Sequence, residues 1–109
     1  MATYFKNKVL KNIGLIKQIA LTSDPATNAT VIGLSLTNLT EFAVRANVLI
    51  QDDTSIEGYY LKDVMIPPNS RIKVLEGGEK LIIPSNNTLL VQSDLDDSLD
   101  AVISYVDIV

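Results

Sequence analysis

The chain contains no cysteine, no histidine and no tryptophan, and aromatic residues make up only 6% of its 109 residues. Without histidine it lacks the commonest general base at neutral pH and the commonest ligand of transition metals. Without cysteine it has no thiolate nucleophile, no thiolate zinc site and no disulfide framework. These absences exclude the usual catalytic constellations built on those residues, and the shortage of aromatic rings argues against stacking on sugars.

Long hydrophobic runs are also missing. No apolar run approaches the ~20 residues that a membrane-spanning helix needs, and the first eight residues lack the apolar core of a signal peptide. The sequence therefore predicts no membrane partner and folding in the cytoplasm. Hydrophobic residues nevertheless make up 47% of the chain, and a small domain of this composition is expected to cover surplus apolar surface against other subunits.

Charge of positive sign is scarce, with 9 Lys and Arg against 13 Asp and Glu and a formal net charge of −4. Because binding to a nucleic-acid backbone needs clustered cations, we expect no nucleic-acid partner. The local exception is a group of lysines near the N-terminus. Lysines are common on exposed edge strands, and we interpret the group in this way. Contact with an acidic surface is the alternative interpretation. The group consists of Lys6, Lys8, Lys11 and Lys17.

Short apolar runs alternate with turn-forming residues along the whole chain. Proline lacks an amide donor and asparagine bonds to its own backbone, so clusters such as Pro67–Ser70 and Pro84–Asn87 end strands. Runs of this length and spacing predict one domain over residues 1–109, a single antiparallel β-sandwich of jelly-roll or immunoglobulin-like type with eight to nine strands. The predicted strands are 5–13, 15–22, 30–38, 42–51, 59–66, 71–75, 80–83, 88–93 and 101–109.

The sequence also predicts which side chains share a face in one strand and which type of turn joins two others. In strand 30–38 the alternation of period two places Ile32, Leu34 and Leu36 together on one face. The Gly77-Gly78 pair lies between strands 71–75 and 80–83, where two glycines are typical of a hairpin turn. Both glycines are therefore expected to need a positive φ or a tight turn.

An acidic segment near the C-terminus is the one motif that resembles a metal site. Calcium takes carboxylate oxygens, but this segment lacks the turn glycine and the bidentate glutamate of an EF-hand loop. We interpret it as a solvated acidic turn, and expect no metal or cofactor, with calcium as the alternative. The candidate ligands are Asp94, Asp96, Asp97 and Asp100.

Aromatic and leucine side chains at strand positions indicate a subunit interface. Tyrosines at such positions are more often core or interface residues than a ligand platform. Leu49 and Leu90 place apolar side chains on faces that are otherwise polar. The predicted interface residues are Tyr4, Phe5, Leu49, Tyr59, Tyr60 and Leu90.

Several segments resemble a family of small virion proteins of tailed bacteriophages. They include TVIGLSLTN at 30–38, IPPNS at 66–70, EGGEKL at 76–81 and the closing strand LDAVISYVDI at 99–108. The resemblance covers almost the whole chain. It implies a structural subunit of a phage particle, with no active site and no cofactor.

The sequence and this resemblance together predict a non-enzymatic virion protein, assembled in the host cytoplasm. A decoration or cement subunit on the outside of the head is the first expectation, and a neck, collar or tail subunit is the alternative. Its partners would be other copies of itself and major capsid or neck and tail proteins. A glycan-binding β-sandwich module is the alternative from a different functional class.

Overall fold

The computed structural model describes residues 2–75 and 78–109, and in those ranges every regular element is a β-strand. No helix in this part of the chain is long and apolar enough to cross a membrane. The strands are β1 (Thr3–Ile13), β2 (Gln18–Thr22), β3 (Asn28–Asn38), β4 (Val44–Gln51), β5 (Glu57–Ile66), β6 (Arg71–Lys73), β7 (Leu81–Ile83), β8 (Thr88–Ser93) and β9 (Leu99–Ile108).

These strands form two sheets that pack face to face. The five-stranded sheet has the order β1-β9-β3-β6, with β7 also paired to β3, and the four-stranded sheet has the order β2-β8-β4-β5. Every pairing is antiparallel. Buried side chains from both inner faces join in one hydrophobic cluster, so the predicted antiparallel β-sandwich is confirmed.

The connections distinguish a jelly roll from an immunoglobulin-type sandwich. Only β4 and β5 follow each other directly as paired neighbours in one sheet. Apart from the step from β6 to β7, each other connection crosses to the opposite sheet, whereas immunoglobulin domains pair several successive strands. With β6 and β7 counted as one interrupted strand, the result is the eight-stranded jelly roll.

Strand β3 departs from the predicted alternation. Leu34 and Leu36 are buried in the core as expected, but Ile32 is 45% exposed. The register with β9 shifts between Val31 and Gly33. Such a bulge inserts an extra residue and reverses the phase of the side chains beyond it. The prediction that Ile32 shares a face with the two leucines is therefore wrong.

Asn38, at the end of β3, joins the two sheets through its buried side chain. Its Nδ2 donates to the carbonyl oxygens of Phe42 at 2.7 Å, Ile66 at 3.1 Å and Pro67 at 3.2 Å. Its Oδ1 accepts the amide of Thr40 at 2.9 Å. Because a buried carbonyl without a donor is costly, this one side chain satisfies several groups where the chain leaves and re-enters the sheets.

The predicted Gly77-Gly78 hairpin is also wrong. β6 pairs with residues 35–37 of β3 and β7 pairs with residues 29–31 of the same strand. Both run antiparallel to β3 on one edge, so they are successive pieces of a single interrupted strand and do not pair with each other. Gly78 does have a positive φ, of 85°, while Glu76 and Gly77 lie outside the described residues.

We expect Gly78→Val to lower the free energy of unfolding by about 1–3 kcal/mol, because a β-branched residue is strained at positive φ. Space is not the cause, since a Cβ at Gly78 would meet nothing within 4 Å. Gly58→Val on β5 is the matched control, since that site is equally open and lacks a positive φ. Urea denaturation measures both variants, and equal losses would contradict the role of backbone strain.

Candidate functional site

Exposed apolar side chains lie on the outer surface of the five-stranded sheet, together with polar ones such as Asn7 and Ser104. Val9 on β1 pairs with Val102 on β9, and Phe5 pairs with Val106. Phe5 is 79% exposed and Val9 is 59% exposed, although strand residues with apolar side chains usually face the core. We call this surface the outer sheet face. Its apolar residues are Phe5, Val9, Ile32, Ile82, Val102 and Val106.

A groove of about 370 Å³ lies on the outer sheet face. Its floor is low because the paired residues Gly33 and Ser104 have small side chains. Arg71 and Lys73 on β6 add positive charge to its wall. Among the described residues, those that line it are apolar, small or cationic, so this part of the groove is an apolar and cationic surface.

Strand β1 extends beyond the sandwich along one edge of the sheet. Residues Thr3 to Val9 are all exposed, so both faces of this half of the strand are open, and only Leu10 and Ile13 turn into the protein. The Lys6 ammonium lies 3.0 Å from Asp107 Oδ2 on β9. The hydrogen bond to Asp107 and its charge raise the pKa of Lys6. The neighbouring β9 therefore neutralises one of the lysines of β1.

The structure separates the predicted interface aromatics. Tyr4 and Phe5 are both exposed but lie on opposite faces of β1, as adjacent strand residues must. Tyr59 is exposed on β5, in the other sheet. Tyr60 is partly buried and packs against the hydrophobic core. These four residues do not form one surface, and sequence reasoning missed the valines and isoleucines that accompany Phe5.

Leu49 and Leu90 lie on the outer surface of the four-stranded sheet, but they are not accessible there. Their exposures are 2% and 6%. They pair with each other in the middle of a row that Ile19 on β2 and Tyr59 on β5 complete. Cross-strand neighbours of this kind cover one another. The prediction that the two leucines form a contact surface is therefore wrong.

The segment between β1 and β2 adds to this cover. Gln92, on the outer surface of β8, donates from Nε2 to the carbonyl oxygen of Leu15 at 2.8 Å. Lys17 forms an ion pair at 2.6 Å with Glu57 of β5, and the hydrogen bond to Glu57 raises the pKa of Lys17. Because β2 and β5 are the opposite edges of the sheet, residues 15–17 must bend over its outer surface.

Asp96 has a structural partner that the sequence did not predict. Its Oδ1 accepts the amide of Leu15 at 3.0 Å. A Cβ on Gly14 would lie 2.9 Å from the Asp96 Cα, so only glycine allows the two segments to approach this closely. The carboxylate therefore anchors the start of the segment that crosses between the sheets.

Two other carboxylates of the acidic segment also accept backbone amides. Asp94 Oδ1 bonds to the amide of Arg45 at 3.0 Å, and Asp100 Oδ1 bonds to the amide of Asn12 at 3.1 Å. Asp97 has a φ of 54° at the turn. The carboxylates point to different segments, and the described residues contain no group of three or more side chains placed to hold a metal ion. Their clearest role is to connect chain segments.

Comparison with known proteins identifies a type of fold. No family model matches the chain, and no curated protein matches it. A chain in the acidic stable capsid structure of Helicobacter pylori bacteriophage KHP30 is similar, with a TM-score of 0.57 and 11% identity over 100% of this chain and 89% of that chain.

A chain of the T13 IBDV viral particle is also similar, with a TM-score of 0.55 and 9% identity. The match covers 97% of this chain but only 30% of that chain, so this chain spans less than a third of its length. At such identities the likeness establishes a capsid-type jelly-roll fold. It does not establish the tailed-phage family that the sequence resembles.

We expect Leu90→Ala to lower the free energy of unfolding by about 2–3 kcal/mol, as a buried leucine does. The matched control is Ile19→Ala, its neighbour in the same row, which is 55% exposed and should cost under about 1 kcal/mol. Chemical denaturation measures both. Nearly equal small losses would mean that Leu90 is accessible in solution.

We expect no saturable heat when calcium is titrated into the protein. In the double variant Asp96→Asn, Asp97→Asn, an amide oxygen still accepts the Leu15 amide and asparagine tolerates positive φ, so stability should change by less than about 1 kcal/mol. Asp96→Ala, which loses the acceptor, should cost more. A stoichiometric calcium heat that the double variant abolishes would instead make the segment a calcium site.

Proposed function

We propose that this chain is a non-enzymatic structural subunit of a virus particle. The observation that carries this proposal is the full-length match to a chain in a phage capsid structure, over 100% of this chain and 89% of the other. The match involves the whole jelly roll and leaves no large part of either chain unexplained. A protein whose fold is used whole in a particle is a good candidate for a particle component, although fold alone does not fix function.

The outer sheet face supports the same role. Exposed apolar side chains that share one face of a sheet are candidates for contacts with other proteins. Phe5, Val9 and Ile82 are each more than half exposed on one face of one sheet. We infer that this surface binds neighbouring particle proteins and other copies of the chain, and that many weak contacts add up on the particle surface.

Within the particle, we propose a decoration or cement subunit on the outside of the head. The groove wall residues Arg71 and Lys73 are positively charged, although the chain as a whole has a net charge of −4. A distinct contact face on a compact domain suits a subunit that is added to a finished shell. A position at the neck, collar or tail is the competing outcome of the experiment.

Particles from the virus that encodes this chain provide the test. We expect mass spectrometry to find the chain in purified particles, and electron cryomicroscopy to show its density repeated over the shell. Density confined to one vertex would place it at the neck or tail and contradict the decoration role. Absence from particles would overturn the structural role itself.

A matched pair of variants tests the surface. Phe5→Ser and Val9→Ser together should prevent incorporation into particles, because they remove apolar contacts from the outer sheet face. Phe42→Ser is the control, since Phe42 is 71% exposed but lies outside that face. Equal incorporation of both variants would show that the outer sheet face is not the contact.

A further inference from the structure

Along β1, residues whose backbone groups bond to β9 alternate with residues whose backbone groups point to the free edge. Ala2 and Val109 exchange both backbone hydrogen bonds, at 3.1 and 2.9 Å. In an antiparallel ladder such pairs alternate with pairs that do not exchange bonds. The register then pairs Thr3 with Ile108 and Tyr4 with Asp107. The Thr3 pair therefore does not exchange bonds, the Tyr4 pair does, and the alternation continues along the strand.

This alternation identifies the residues whose amide and carbonyl groups point away from β9. They are the members of the non-exchanging pairs, and each is exposed. Four residues present up to eight backbone groups to solvent along an edge that no strand in the described part of the chain covers. Their side chains all lie on the outer sheet face. The residues are Thr3, Phe5, Asn7 and Val9.

The side chains of this edge alternate in chemistry. Phe5 and Val9 present apolar surface on the outer sheet face, while Lys6 and Lys8 project on the opposite side. β1 contains three lysines and no acidic residue. Lys6 is already paired with Asp107, whereas Lys8 forms no ion pair in the part of the chain that the structure describes.

We propose that the free edge of β1 accepts an extended segment of a neighbouring particle protein in which apolar and acidic residues alternate. The backbone of that segment would bond to Phe5, Asn7 and Val9, as in β-strand addition. Its apolar side chains would extend the outer sheet face, and its carboxylates would face Lys6 and Lys8. This proposal rests on the proposed function, since it specifies one partner of the same particle subunit.

A second copy of β1 is a poorer occupant of this edge. Antiparallel pairing of two copies about Asn7 would set Phe5 against Val9, which is favourable, but it would also set Lys6 against Lys8 of the second copy. Like charges directly opposite each other destabilise a strand pair. In this register the lysines oppose self-pairing, whereas an acidic strand is attracted to them, so repulsion and attraction both contribute to specificity.

Two synthetic peptides test the proposal on the intact protein. One alternates valine and glutamate, and the other alternates valine and lysine. In a titration followed by amide NMR, the glutamate peptide should shift the amides of Phe5, Asn7 and Val9, and the lysine peptide should not. Raising the salt to about 0.5 M should weaken the binding of the glutamate peptide several-fold, because salt screens exposed charges.

Variants separate the backbone contribution from the side chains. Asn7→Pro removes an amide that faces the free edge, so the fold should persist as for proline on an edge strand while peptide binding is lost. Asn7→Ala keeps that amide and should keep binding. Lys8→Glu leaves the backbone groups of the edge in place and reverses one side-chain charge. It should abolish binding of the glutamate peptide and allow binding of the lysine peptide.

Three results would overturn the proposal. They are equal binding of the two peptides, no shift at the edge amides with either peptide, and edge shifts that grow with protein concentration and salt in the absence of peptide. The last result would assign the edge to a second copy. Because these measurements need no particle, a failure here leaves the particle experiments as the separate test of the proposed function.

Discussion

The pairing of β3 with β9 is the constraint on which the rest of the molecule depends. β9 lies between β3 and β1, so β1 joins the sheet only through it, and β3 carries both β6 and β7 on its other edge. The register shift between Val31 and Gly33 arises in this pairing. It decides that Ile32 reaches the outer sheet face and that Leu34 enters the core. The place of Ile32 on the outer sheet face is thus a consequence of one ladder.

Sequence reasoning succeeded where side-chain position depends on local order. Strand β4 lies within the predicted strand 42–51, with Val44, Ala46 and Val48 in the core, and Pro67 and Pro84 directly follow β5 and β7 as the turn clusters predict. It failed where position depends on strands far away in sequence. The bulge at Ile32 is a feature of the pairing between β3 and β9, and β6 and β7 both pair with β3. A local sequence pattern contains no information about either pairing.

The candidate site shows the same division. Exposure of Tyr4 and Phe5 agrees with their assignment to a surface, because both lie on an edge strand. The accessibility of Leu49 and Leu90 could not be inferred from alternation, since their cover comes from neighbours on other strands and from residues 15–17. The roles of the aspartates were equally hidden, because a carboxylate that accepts an amide from a distant segment looks in sequence like any solvated turn residue.

The position of β1 also affects how the chain reaches its fold. Among the described strands β1 pairs with β9 alone, so this ladder joins two strands that seven others separate in sequence. Closing the loop between them lowers the chain entropy before the strand pairing stabilises the fold, and domains with such long-range contacts fold slowly. During synthesis, both backbone edges of β1 stay free until β9 has been made, and unpaired strand edges are prone to aggregation. β1 carries three lysines and no acidic residue, and lysine on an exposed edge disfavours edge-to-edge pairing of unpaired strands.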